Sequence, residues 1–200
     1  MKTLRNHFPK LLTVVLMLLG TVTVATAQAQ AAPQRVTGSM TVCSNSPIPA
    51  GWVITNSYSS FNCPGTGVSY TITDSNGQTS LGVCSFSPIP AGWVVTSSYG
   101  GAVNCAGSGV NYSIMNSANQ TNLGVCSFSP IPAGWVVTTS YGGANNCAGS
   151  GVAYTILNAA NQTYLAVCSF SPIPTGWVVT SYYSTTTCAG SGVAYSIRKA

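Results

Sequence analysis

The chain has 200 residues, 46% of them hydrophobic and only 4% charged, with a single acid, a single histidine and a formal net charge of +5. So few titratable groups leave little for general acid–base catalysis, which needs a positioned proton donor or acceptor of suitable pKa. The basic balance does not point to nucleic acid either, because no basic patch, stripe or helix is present to grip phosphates.

Lys2, Arg5 and Lys10 precede an apolar stretch from Leu11 to Val24. Ala25-Thr26-Ala27 then supplies a small-residue cleavage pattern, with Ala27-Gln28-Ala29 and Ala29-Gln30-Ala31 as near alternatives. This pattern reads as a secretory signal peptide over 1–27. The apolar stretch is too short and wrongly flanked for a stable span, and no second long apolar run follows, so the mature chain is expected to lack a helical membrane anchor. Removing the signal takes away Lys2, Arg5 and Lys10, which lowers the formal charge from +5 to +2. A short polar linker covers 28–36.

Beyond the linker the chain repeats itself. Cys43-Ser44-Asn45-Ser46-Pro47-Ile48-Pro49-Ala50-Gly51-Trp52 returns, nearly unchanged, from Cys84 to Trp93, Cys126 to Trp135 and Cys168 to Trp177. The residues before each cysteine also correspond, which sets the units at 37–78, 79–120, 121–162 and 163–200. A repeat array is one small unit stacked or strung out rather than one irregular domain.

Each unit reads as three strands. The first is short and ends at a Val-Cys pair. Ser-Pro-Ile-Pro-Ala-Gly follows as a rigid connection, since each Pro fixes φ and biases its predecessor to an extended form. The second strand, Trp93 to Tyr99 and its counterparts, is rich in β-branched and aromatic residues. A Gly- and Cys-bearing loop leads to the third strand, Val110 to Ile114, which a polar turn closes at Asn116 to Gln120. Helix signals are absent after the leader: there is no 3.6-residue period, and Gly and Pro recur throughout.

Comparing the copies with one another assigns faces. Val110, Tyr112 and Ile114 recur as Val68, Tyr70 and Ile72, as Val152, Tyr154 and Ile156, and as Val193, Tyr195 and Ile197. The residues between them drift. Strand side chains alternate faces, so the fixed set is expected in the core. In the second strand both faces are nearly fixed, which predicts a central position in its sheet.

The cysteines are Cys43, Cys63, Cys84, Cys105, Cys126, Cys147, Cys168 and Cys188, two per unit. An even count in an exported chain reads as a disulfide framework. Two pairings respect the repeat. One closes each unit on itself and leaves no cysteine over at either end, and it is the one expected. The other staples neighbours and needs Cys43 and Cys188 to close a ring. A unit of about forty residues needs such a staple, or neighbours, to hold together. The expected fold is all-β: a tandem array of four disulfide-stapled three-stranded units of about 42 residues. A closed propeller-like ring and a β-solenoid are the alternatives.

No catalytic residue, metal site or cofactor is expected. His7 leaves with the signal, paired carboxylates cannot be assembled from Asp74 alone, and Lys199 lies at the chain end. Zinc would need close Cys pairs or histidines, and calcium more carboxylates than Asp74 supplies, so Asp74 reads as a turn residue. The residues that could bind something are aromatic. Trp52, Trp93, Trp135 and Trp177 recur once per unit, and Tyr58, Tyr99, Tyr141 and Tyr183 recur behind them. They read either as a sugar-stacking platform in each unit or, for the tryptophans, as the core anchor of a small β unit.

The expected surface of Ser, Thr, Asn, Gly and Tyr lacks the charges that ordinarily guard sheet edges. The strands, at about seven residues, are shorter than a membrane barrel needs. These features predict a non-enzymatic protein acting through contact: a structural or adhesive component of the extracellular matrix or envelope, with self-association as its partner interaction. A multivalent carbohydrate-binding protein, holding a glycan or cell-surface polymer through one aromatic site per repeat, is the alternative. Secretion to the outside, the periplasm or the cell surface is the expected destination.

Overall fold

A computed structural model describes residues 38–200; the expected signal peptide over 1–27 and the expected linker over 28–36 lie outside the described residues. The described chain is all β, in twelve strands. The first unit holds β1 (Ser39–Cys43), β2 (Trp52–Ser59) and β3 (Val68–Asp74). The second holds β4 (Ser80–Cys84), β5 (Trp93–Gly100) and β6 (Val110–Asn116). The third holds β7 (Asn122–Cys126), β8 (Trp135–Gly142) and β9 (Val152–Asn158). The fourth holds β10 (Tyr164–Cys168), β11 (Trp177–Ser184) and β12 (Val193–Lys199).

These form four separate antiparallel three-stranded sheets, ordered β1-β3-β2, β4-β6-β5, β7-β9-β8 and β10-β12-β11. The third strand of each unit is therefore central, not the second as its fixed residues suggested. The cause lies in the connections. Ser-Pro-Ile-Pro-Ala-Gly, with Thr175 in place of Ala in the fourth unit, carries the chain from one edge to the other, with Gly51, Gly92, Gly134 and Gly176 at φ near 80° just before each Trp. The third strand then returns between the two edges. In β2, Ile54 pairs with Ile72 and Asn56 with Thr71, so Thr55 is an inserted bulge residue, and β5, β8 and β11 repeat this.

Each unit is closed on itself by one disulfide: Cys43–Cys63, Cys84–Cys105, Cys126–Cys147 and Cys168–Cys188. Four such bonds in a small β chain belong to an oxidising environment. The core follows the strand alternation only in part. Ile72, Ile114, Ile156 and Ile197 are fully buried, but the recurring Val and Tyr of the central strand are only half-buried. The drifting position next to Val is buried as Ser69, Ala153 and Ala194. The disulfide accounts for this: Cys126, Cys147, Ala144 and Ala153 form one packed cluster.

The units stack in line. Strands β2 and β4 touch, as do β5 and β7, and β8 and β10, while no strand of the first sheet touches the last. The four sheets are thus an open array rather than a ring or a barrel. No helix among the described residues is long and apolar enough to cross a membrane.

Candidate functional site

Two sets of residues recur with a defined geometry: the aromatics singled out from the sequence, once in each of the four units, and the residues at the three joints between units.

The tryptophans open the second strands and lie inside. Trp52, Trp93, Trp135 and Trp177 are 4 to 9% exposed. Trp93 packs with Val95, Ile114 and Val83, and Trp177 with Ile197 and Val167. Little of their ring faces remains open to a ligand. The tyrosines six residues further along differ. Tyr58, Tyr99, Tyr141 and Tyr183 are 39 to 52% exposed, one per unit. In the first unit Tyr58 lines a shallow cleft with Thr41, Ser60, Asn62, Ser69 and the Cys43–Cys63 disulfide. An open aromatic face beside hydroxyl and amide groups is the chemistry of a weak sugar or polymer contact.

Asp74 is 4% exposed. Its Oδ1 accepts hydrogen bonds from the Asn76 backbone N–H at 3.0 Å and from the Asn76 side-chain amide at 2.6 Å. Asn116 and Asn158 make the same turn, accepting from the N–H groups of Ala118 and Ala160. The acid is a turn residue of the type Asn and Asp favour. No group of three metal-ligating side chains occurs among the described residues.

The joint was not legible as a set in the sequence. The Ile54 N–H donates to the Ser87 hydroxyl at 2.8 Å, and Val95 to Ser129 and Val137 to Ser171 do the same at 2.8 Å. Each of these serines lies in the Ser-Pro-Ile-Pro connection of the following unit. Further along the same edge, the Ser57 N–H donates to the Asn104 carbonyl, and the Ala106 N–H donates back to the Ser57 carbonyl. The Ser57 hydroxyl donates to the Ala106 carbonyl at 3.0 Å. Ser98 with Ala148, and Ser140 with Ala189, repeat the hydroxyl bond at 2.6 and 2.7 Å. An aromatic pair accompanies each joint: Tyr70 with Phe86, Tyr112 with Phe128 and Tyr154 with Phe170, at ring-centroid distances of 5.2 to 5.5 Å. Val53 is fully buried in a cluster with Val83, Trp93, Val95 and Ile114 of the next unit.

These contacts explain why both faces of the second strand are fixed. One face meets the unit's own core and the other meets the next unit. The strand is an edge whose open backbone groups are closed by its neighbour. The signal that could have found the joint was present as Ser87, Ser129 and Ser171, hydroxyls repeated beside proline, and Ser57, Ser98 and Ser140, polar residues repeated inside an apolar strand.

Fold and joint together define a class: an open, disulfide-stapled β-repeat array with unit-to-unit joints. Comparison with protein-family models, with curated proteins and with solved structures found no match.

Proposed function

We propose that this chain is an exported, non-enzymatic structural or adhesive component of the extracellular space or cell envelope, working through its surface. The observation that carries this reading is the nature of that surface. From Gly38 to Ile197 the only charged side chain is Asp74, and it is buried. Ordinary soluble surfaces are about a quarter to a third charged. Here a row of hydroxyl, amide and aromatic groups repeats along an extended array instead. Such a surface carries no like-charge repulsion against close approach, its hydroxyl and amide groups can exchange water for a partner's hydrogen bonds, and four equivalent contacts gain strength by acting together.

The half-exposed tyrosines favour a second reading, a multivalent binder of glycans or cell-surface polymer with one weak site per unit. The same avidity would apply. One set of measurements separates the two. Light scattering and sedimentation of the purified protein across concentrations should reveal self-association for a structural component. A glycan array, with Tyr99→Ala/Tyr141→Ala as control, should show tyrosine-dependent binding for the second reading. A protein that stays monomeric, binds no glycan and does not adhere to envelope material would refute both.

A further inference from the structure

The joint that links neighbouring units is heterologous: the edge of one unit meets the front of the next. Repeated without closure, such an interface propagates indefinitely. Among the described residues, one copy of each half is left uncovered, at the first unit and at the fourth. At the tail, Val178 and Val179 are 41 and 47% exposed, whereas their counterparts Val53, Val94, Val136, Ile54, Val95 and Val137 are at most 3% exposed. At the front, Ser46 stands where Ser87, Ser129 and Ser171 accept their hydrogen bonds, and its hydroxyl accepts no strand N–H among the described residues.

The two ends nevertheless do not match. The Phe of the aromatic pair is Phe86, Phe128 and Phe170 at the three covered fronts, but Asn45 at the free one. The Ala that donates an N–H to the preceding edge is Ala106, Ala148 and Ala189, but Pro64 at the free front, and proline has no N–H to give. The serine on the receiving edge is Ser57, Ser98 and Ser140, at most 3% exposed, but Tyr182 at the free tail, 78% exposed. A tyrosine ring has no room in a position sealed around a serine. Each of these residues occupies a contact position of the joint.

We infer that Asn45, Pro64 and Tyr182 are end caps that stop copies of this chain from joining front to tail through the joint its own units use. The surface is one that a second copy would fit but for these residues. Terminal repeats of arrays are commonly altered in this way. The inference concerns the ends alone and is independent of what the faces of the array bind.

All three residues are exposed, so changing them leaves the fold in place. The test uses a front variant, Asn45→Phe/Pro64→Ala, a tail variant, Tyr182→Ser, and the triple variant, each checked for intact disulfides by non-reducing peptide mapping. Sedimentation velocity is then compared with the unaltered protein at equal concentration. Each partial variant alone should sediment as the unaltered protein does. Their equimolar mixture should add a species of doubled mass, and the triple variant an open series of longer species. Adding Ser46→Ala to the triple variant should shorten that series. A mixture and a triple variant that both sediment like the unaltered protein would overturn the inference. So would an unaltered protein that already forms a series which Ser46→Ala abolishes.

Discussion

Ser129 shows how much one hydroxyl can decide. It accepts the Val95 N–H at the edge of β5 and donates to the Pro130 carbonyl at 3.1 Å, in a site that is 7% exposed. Removing it leaves a buried N–H without a partner, which costs about 1–3 kcal/mol. Ser129→Ala should therefore lower stability by that amount in chemical denaturation, and Ser46→Ala, on the uncovered front, should change it by less than about 0.5 kcal/mol. The tryptophans belong to the same scale. Trp135→Ala should cost about 3–5 kcal/mol, because it empties a core position, while Tyr141→Ala, with its ring half in water, should cost far less. Near-equal losses from the two would place the tryptophan outside the core. In the sequence, Trp and Tyr recur with the same strictness, and recurrence alone does not separate an anchor from an exposed face. Burial does, and burial depends on neighbours that the strand pattern does not name.

At the scale of the element, the strand count, the three-stranded units and the disulfide pairing were all readable. Prolines, glycines and β-branched runs punctuate the chain plainly, and pairing within the unit leaves no cysteine over. The order of strands was not readable. A strand fixed on both faces looks central, yet an edge strand capped by the next unit has the same signature, because each face is buried against a different partner. Only β11 betrays the difference: it keeps nearly the same sequence and, with no unit packed on it among the described residues, is exposed along its length after Trp177. The disulfides differ by position too. Cys126 and Cys147 are fully buried, whereas Cys43 at the front is partly exposed. Replacing a pair by Ala should cost about 3 kcal/mol from loop entropy alone. Thermal unfolding should show a larger loss for Cys126→Ala/Cys147→Ala than for Cys43→Ala/Cys63→Ala, since only the former also loosens a packed cluster. The reverse order would mean that the clusters around the inner disulfides contribute little.

The described chain is a row of four sheets, the first three each finished by the one after it. The linear array was expected from the repeat, but the bonding of the joint was not, because its hydrogen bonds span 33 to 50 residues and each pairs a polar side chain with a backbone group that carries no sequence signature. The functional reading rests at this scale: a nearly uncharged, repeated surface suits contact better than chemistry. Stability should then be graded along the array, highest where a unit has neighbours on both sides and lowest at the tail. Amide hydrogen exchange reads this directly. The N–H groups of Ile54, Val95 and Val137 should exchange as slowly as the ladders of the central strands, while the equivalent N–H of Val179 should exchange rapidly. Equal, fast exchange at all four would contradict the account, because the units would then be independent beads rather than a joined array.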